Sequence, residues 1–267
     1  MEYMKLKECW LSEEKRSFQG WDFSYIDKRK SDEPLPWNYD KIVRQYLNAN
    51  SILLDMGTGG GEYLLTLNHP YCNIFATEAY PLNFELCRRT LIPLGIDVRQ
   101  VFNDNYLPLE NEMFDIIINR HAAFDINEVY RLLKPNGLFI TQQVGGLNNK
   151  ELSRFLINDF KEISSSEHAL KNNLLLIEAK GLTILKSDEC FPKLKFFDVG
   201  ALVYFAKIIE WEFPNFSVDN CFKQLCLLQS IVEAQGFIES KEHRFVIVAQ
   251  KEDVKPASHL STIVSET

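Results

Sequence analysis

The chain has 267 residues, enough for one large domain or two small ones that bury a full core without disulfide support. Hydrophobic residues at 46% and charged ones at 25% are globular values, which excludes collagen-like, coiled-coil and disordered chains. The 29 Lys and Arg against 37 Asp and Glu give a net charge of −8, the wrong sign for a duplex nucleic-acid binder, whose affinity comes largely from neutralised phosphates. The opening MEYMKLKECW lacks the apolar core of a signal peptide, and no run approaches the roughly 18 apolar residues of a membrane span. A cytoplasmic protein with no membrane partner is the expectation. The cysteines (Cys9, Cys72, Cys87, Cys190, Cys221, Cys226) form no C-x-x-C pair, so reduced thiols and no metal site are expected.

Residues 1–48 read as an N-terminal cap or lid segment. They carry aromatic patches (Trp10, Trp21, Phe23, Tyr25, Trp37, Tyr39), a breaker-rich stretch from Glu33 to Trp37, and a helical pattern over 39–47. Ser51–Asp55 is a short apolar run typical of a strand buried on both faces, followed by glycines and a helix start over 62–67. Strands are predicted over 73–77, 97–101 and 114–119, with a helix over 81–91 that places Pro81 in its first turn. A helix over 125–133, a Lys134–Gly137 turn and a strand over 137–143 follow. Helix 167–180 closes on Gly181, and strands 182–186 and 244–250 enclose helical patterns over 198–211 and 218–236. Alternating strands and helices predict an α/β doubly wound parallel sheet. The main domain is expected over 49–251, with a helical insert at about 197–238 between the last two strands and a loose tail over 252–267.

The segment Asp55-Met56-Gly57-Thr58-Gly59-Gly60-Gly61-Glu62 joins the first predicted strand of that sheet to a helix. Such glycine turns let backbone approach a nucleotide-type ligand closely. A dinucleotide fingerprint is G-x-G-x-x-G, and from Gly57 its last position is Glu62. A negative side chain there opposes a pyrophosphate, whereas Asp55 suits a cationic ligand group. S-adenosylmethionine has no phosphate and carries an ammonium and a sulfonium.

Asp55-x-Gly57-x-Gly59-x-Gly61 resembles motif I of the class I S-adenosylmethionine-dependent methyltransferases. The resemblance continues in order through Thr77-Glu78, Asn103-Asp104-Asn105-Tyr106-Leu107-Pro108, Phe114–Asn119 and Leu132–Leu138, covering about residues 45–145. It implies a Rossmann-like methyltransferase fold of seven strands in order 3-2-1-4-5-7-6, the seventh antiparallel. It further implies S-adenosylmethionine as cofactor, methyl transfer as activity, and a small-molecule acceptor. A protein that binds the cofactor without catalysis and a methyltransferase acting on RNA or protein are the alternatives.

By that resemblance Gly57, Thr58, Gly59 and Gly61 approach the cofactor, Asp55 orients its amino end and Glu78 accepts its ribose hydroxyls. Asn103 or Asp104 meets the adenine with Asn105 beside it, and Asn119 closes the cofactor set. A surface position at the end of its strand is expected for Glu78. His121, just past the fourth strand at the sheet edge where such folds bind ligands, is the candidate base. Arg120 is a candidate for an anionic substrate group, and Gln143 is favoured over Gln142 as the strand-five residue facing the pocket. Trp21, Phe23 and Tyr25 are candidates for a lid, or for packing on the body of the protein. The other histidines (His69, His168, His243, His259) read as surface or turn residues.

Overall fold

A computed structural model describes residues 2–18, 23–157 and 168–253. Helix α1 (Glu2–Glu14) and strand β1 (Lys30–Asp32) precede α2 (Tyr39–Tyr46), which Asn38 caps by accepting from Lys41 N at 2.9 Å. The alternating part then runs β2 (Leu53–Met56), α3 (Glu62–Thr66), β3 (Ile74–Glu78), α4 (Pro81–Thr90), β4 (Asp97–Gln100), β5 (Phe114–Arg120), α5 (Ile126–Leu132) and β6 (Leu133–Val144). After α6 (Lys150–Leu156) and α7 (Leu170–Ala179) come β7 (Leu182–Cys190), β8 (Lys193–Phe196), α8 (Val199–Ile208), α9 (Val218–Gln235), β9 (Ile238–Lys241) and β10 (Arg244–Lys251).

Seven strands form one sheet in the order β4-β3-β2-β5-β6-β10-β7. Strands β2 to β6 pair in parallel, and β10 is antiparallel to both neighbours. Numbered within this sheet the order is 3-2-1-4-5-7-6, as the resemblance implied. The apolar runs explain it: Leu53, Ile116 and Ile118 face one core, while Leu54 and Ile117 face the other, so both faces need helices. Lys134–Gly137 is not a free turn before β6 but an irregularity inside it. Phe114 lies opposite Leu133 and Ile116 opposite Leu138, with Asn136 at φ 64° taking up the extra chain.

The sequence pattern gave no sign of a second sheet. Strands β1, β8 and β9 pair antiparallel, so the early segment and the insert between the last two strands form one body. Its core joins Trp10 and Ile26 to Leu194, Phe196, Leu202, Phe213 and Leu225. Arg29 locks it: its guanidinium donates to both oxygens of Asp198, at 2.8 and 2.6 Å, and lies 2.8 Å from Glu13. These carboxylates, Asp198 foremost, hold the Arg29 pKa above its ordinary value. Phe23 and Tyr25 pack within this body: Phe23 lies on Phe205, with ring centroids 5.7 Å apart, and Tyr25 on Tyr204 at 5.0 Å. Trp21 and the tail from 254 lie outside the described residues. Among the described residues, no helix is long and apolar enough to cross a membrane.

Candidate cofactor site and adjoining cleft

The register sets the carboxyl ends of the parallel strands level with one another. Met56 lies opposite Thr77 on one side and Asn119 on the other. The chain leaves β2 through Gly57, Gly59 and Gly61 at φ 73°, 64° and 84°, a conformation that side chains with a Cβ rarely adopt. A Cβ on Gly57 would collide with that of Ala122, so the glycine also lets the loop after β5 come close. Thr77 O accepts from Gly57 N at 3.0 Å and from Thr58 N at 2.9 Å, which pins the start of the loop to β3.

Asp55 is 5% exposed at the end of β2. Burial pushes its carboxyl pKa up to about 6, helped by the negative charge of Glu78 and opposed by Thr58 and Arg120. Thr58 approaches it without closing a hydrogen bond of good geometry, and its Oγ1 is buried with no partner. Glu78 is not at an exposed strand end: it is 7% exposed, Oε2 accepting from Gly59 N at 2.7 Å and Oε1 from Tyr80 N at 2.8 Å. Each oxygen keeps a second acceptor position. Asn103 closes a local turn by accepting from Asn105 N at 2.9 Å, and Asp104 beside it is exposed. The anchors of this segment escaped the sequence reading: Glu128 accepts from Leu107 N at 2.8 Å and is itself bound by Arg131 at 2.6 Å.

Asn119, fully buried, is a hub. Its amide donates to Met56 O at 3.1 Å and Ala123 O at 3.4 Å, and its Oδ1 accepts from Thr141 Oγ1 at 3.0 Å and from Gln143. Gln143 also donates to Ala122 O at 3.1 Å. Both side chains therefore hold the loop after β5. The strand-five residue that lines the adjoining cleft is Gln142, whereas Gln143 is turned to Asn119. Alternation along β6 allows one of the two to face the cleft, and the needs of Asn119 draw Gln143 to the other side.

That cleft, of about 790 Å³, is bounded by the Pro34–Lys41 segment, Tyr63 and Thr66 of α3, Arg120 and Gln142. Trp37 and Tyr39 were legible only as scattered aromatics. Tyr39 OH lies 3.2 Å from the carbonyls of Asn119 and Ile140, and its phenol pKa is raised by burial and by Asp55. Trp37 Nε1 donates to Gln142 Oε1 at 2.8 Å, and Gln142 Nε2 lies 3.0 Å from His121 Nε2. An indole N–H can only donate, so the Gln142 oxygen faces Trp37 and its amide nitrogen faces the imidazole. His121 Nε2 must then accept, and the neutral ring carries its proton on Nδ1. The residue sits at φ 60° with an exposed face. Desolvation of the ring, then the charges of Arg244 and Arg120, hold its pKa below the ordinary value. Two other histidines are buried rather than superficial: His69 Nε2 lies 2.7 Å from Ser51 O, and His243 Nε2 lies 2.8 Å from Glu189 Oε1. His168 is exposed, and His259 lies outside the described residues.

Residues 54–141 match the sequence family described as a methyltransferase domain. Two carboxy-S-adenosyl-L-methionine synthases of Klebsiella pneumoniae strains are 24% identical over 159 residues, covering 50% of this chain. The match spans 64% of those relatives' length. Among solved structures, a Bacillus halodurans protein described as a candidate methyltransferase superposes with a TM-score of 0.56 at 17% identity, covering 81% of this chain and 99% of that one. The YcgJ protein of Bacillus subtilis superposes with 0.53 at 17% identity, covering 80% and 98%. Strand order, glycine loop and family match agree: residues 54–141 match the methyltransferase-domain family, and the sheet built around them has the class I S-adenosylmethionine-dependent methyltransferase fold.

Proposed function

We propose that the chain binds S-adenosylmethionine and transfers its methyl group to a small-molecule acceptor. The observation that carries this reading is Asp55: a buried carboxylate, its pKa pushed up to about 6, beside a loop of three left-handed glycines. A buried acid in that state is stabilised by a cation, and the cofactor's ammonium is one. The unpartnered Thr58 Oγ1 fits a polar ligand at the same loop. Glu62 supports this cofactor over a dinucleotide, because its carboxylate folds back over Gly60, where a pyrophosphate would approach. The Klebsiella relatives are named for making a carboxylated S-adenosylmethionine, which supports the same ligand class.

In this reading Asp55 takes the amino end, and Gly57, Thr58, Gly59 and Gly61 take the amino-acid chain along the loop backbone. Glu78 accepts the ribose hydroxyls with its remaining lone pairs. Asp104 meets the adenine, since Asn103 is engaged with Asn105 N. Asn119 and Gln143 act by fixing the loop after β5, and Arg120 and Gln142 face the acceptor. When bound, the cofactor supplies an activated methyl group on a sulfonium. What the chain adds is approach geometry and exclusion of water. His121 is the proposed proton acceptor through Nε2, from which the Gln142 amide must swing aside when the acceptor binds. Its lowered pKa keeps it neutral near pH 7 and matches it to an acceptor whose proton is acidic. The domain is proposed to run over 49–251, with 1–48 and the insert at about 197–238 covering one end.

Thermal denaturation with ligands tests the cofactor. S-adenosylmethionine and S-adenosylhomocysteine should raise Tm, and NAD should not. A shift with NAD alone overturns the assignment. A screen with methyl-labelled cofactor then separates an enzyme from a protein that binds without turnover.

A further inference from the structure

Basic side chains around the main sheet are mostly paired. Arg99 lies 3.0 Å from Asp97, Arg131 2.6 Å from Glu128, Lys134 2.8 Å from Asp115 and Arg244 2.5 Å from Glu242. Arg120 differs. It ends β5, is exposed, and no ion pair to it is found among the described residues. Its guanidinium lies over the ring of Tyr63, 4.5 Å from the centroid, at the wall of the 790 Å³ cleft. Stacking on an aromatic face orients the planar guanidinium while leaving its N–H groups free for a bidentate partner.

The rest of the cleft fits such a partner. The Tyr63 hydroxyl is buried without a hydrogen-bond partner, so a donor stands ready on the residue that carries the stack. Asp40, the acid in the lining, has its charge offset by Arg44, which donates to it at 2.8 Å. Pro34, Leu35, Pro36 and Trp37 supply a largely apolar wall.

We propose that Arg120, stacked on Tyr63, is the receptor for a carboxylate carried by a small, flat or amino-acid-like molecule in this cleft. The carboxylate has two sources: the amino-acid end of S-adenosylmethionine, or an acidic acceptor. The second source rests on the methyltransferase reading above. The binding site itself does not.

The test is calorimetry on the full chain with four ligands: S-adenosylmethionine, its decarboxylated analogue, benzoate, and benzamide as the neutral counterpart of benzoate. The variants are Arg120→Gln, Arg120→Lys and Tyr63→Phe, with Tm confirming the fold. If the acceptor supplies the carboxylate, wild-type protein binds benzoate at least tenfold more tightly than benzamide. Arg120→Gln then abolishes that preference and changes affinity for S-adenosylmethionine and its decarboxylated analogue equally, through the charge it no longer exerts on Asp55. If the cofactor supplies it, Arg120→Gln weakens S-adenosylmethionine at least tenfold more than it weakens the decarboxylated analogue. Either result supports the proposal, with Arg120→Lys and Tyr63→Phe falling between the extremes. A benzoate preference that needs Arg120, in a protein that binds no cofactor, keeps the carboxylate site and refutes the methyltransferase reading. If Arg120→Gln, or Arg120→Lys should the first variant not fold, keeps the wild-type benzoate to benzamide ratio and affects S-adenosylmethionine and its decarboxylated analogue equally or not at all, the proposal is overturned.

Discussion

Asp55 makes cofactor affinity a function of pH in a window that can be calculated. With a pKa of about 6, its carboxyl is about 90% ionised at pH 7 and about 10% at pH 5. The cofactor's α-amino group, ordinarily near pKa 8, stays charged across that window, so the protein side sets the dependence. An ammonium against the carboxylate needs the ionised form and pulls its pKa down. Affinity should therefore fall about tenfold between pH 7 and pH 5, or about 1.4 kcal/mol, and binding at pH 6 should release about half a proton. Calorimetry in buffers of different ionisation enthalpy reads both quantities. Asp55→Asn should bind more weakly at pH 7 and lose the pH dependence. The same shift acts on stability with the opposite sign. A folded pKa raised from 3.8 to about 6 gives stability that is full below the unfolded pKa and is lost as pH rises through the folded one. Asp55→Asn should therefore stabilise the ligand-free protein at pH 7, by up to about 3 kcal/mol. A wild-type affinity that is flat from pH 5 to 7, or a pH dependence that survives in Asp55→Asn, refutes this account of the carboxylate.

Three further outcomes follow from the same geometry. Glu78→Ala removes two charge-assisted bonds to Gly59 N and Tyr80 N, each worth about 1.5–3 kcal/mol, so urea denaturation should show a loss of about 3 kcal/mol or more together with weakened cofactor binding. Unchanged stability would mean that the glycine loop holds its shape without the carboxylate. Trp37→Phe frees the Gln142 amide to rotate, so the His121 titration followed by 15N-resolved NMR should move up toward the ordinary imidazole value. An unmoved midpoint would mean that Trp37 does not hold the Gln142 amide against the imidazole. In wild type the rate should be level around neutrality and fall only in acid, because His121 is active when deprotonated and its pKa is lowered. His121→Ala should lower kcat by roughly 10²–10⁴ and lose that acid limb, whereas a wild-type rate in the variant excludes a proton-transfer role.

What the sequence discloses and what it hides follow from how local each signal is. The glycine loop, Pro81 at a helix start and the run Phe114–Asn119 each declare themselves within a dozen residues, and the order of the main sheet follows from them. Strands β1, β8 and β9 are three or four residues long, β1 with no apolar residue and the other two with apolar and charged residues mixed. Their pairing joins Lys30 to Phe196, a relation that no window along the chain contains. The cofactor-side residues were legible as types, but not their burial. Glu78 reads as a strand-end acid, and nothing in Thr77-Glu78-Ala79-Tyr80 says that two backbone amides will enclose it. The choice between Gln142 and Gln143 depended on Trp37, more than a hundred residues earlier and on no recognisable motif.

The second sheet also constrains the order in which the molecule is assembled. Lys30–Asp32 pairs with nothing until Leu194–Phe196 has been synthesised, and β8 in turn awaits Ile238–Lys241. Pairings of such sequence separation are slow, because loop closure must precede any gain from the contact. The strands β2 to β6, whose longest pairing, Leu53 with Ile116, is far shorter than that of Lys30 with Phe196, can condense while the first thirty residues still wait. During that interval Trp10 and Ile26 have no core to enter, and the β1 edge is open to pairing with another chain. Aggregation during refolding should therefore be seeded at the amino-terminal segment, and truncating the chain after β10 should aggravate it less than deleting α9 and β9.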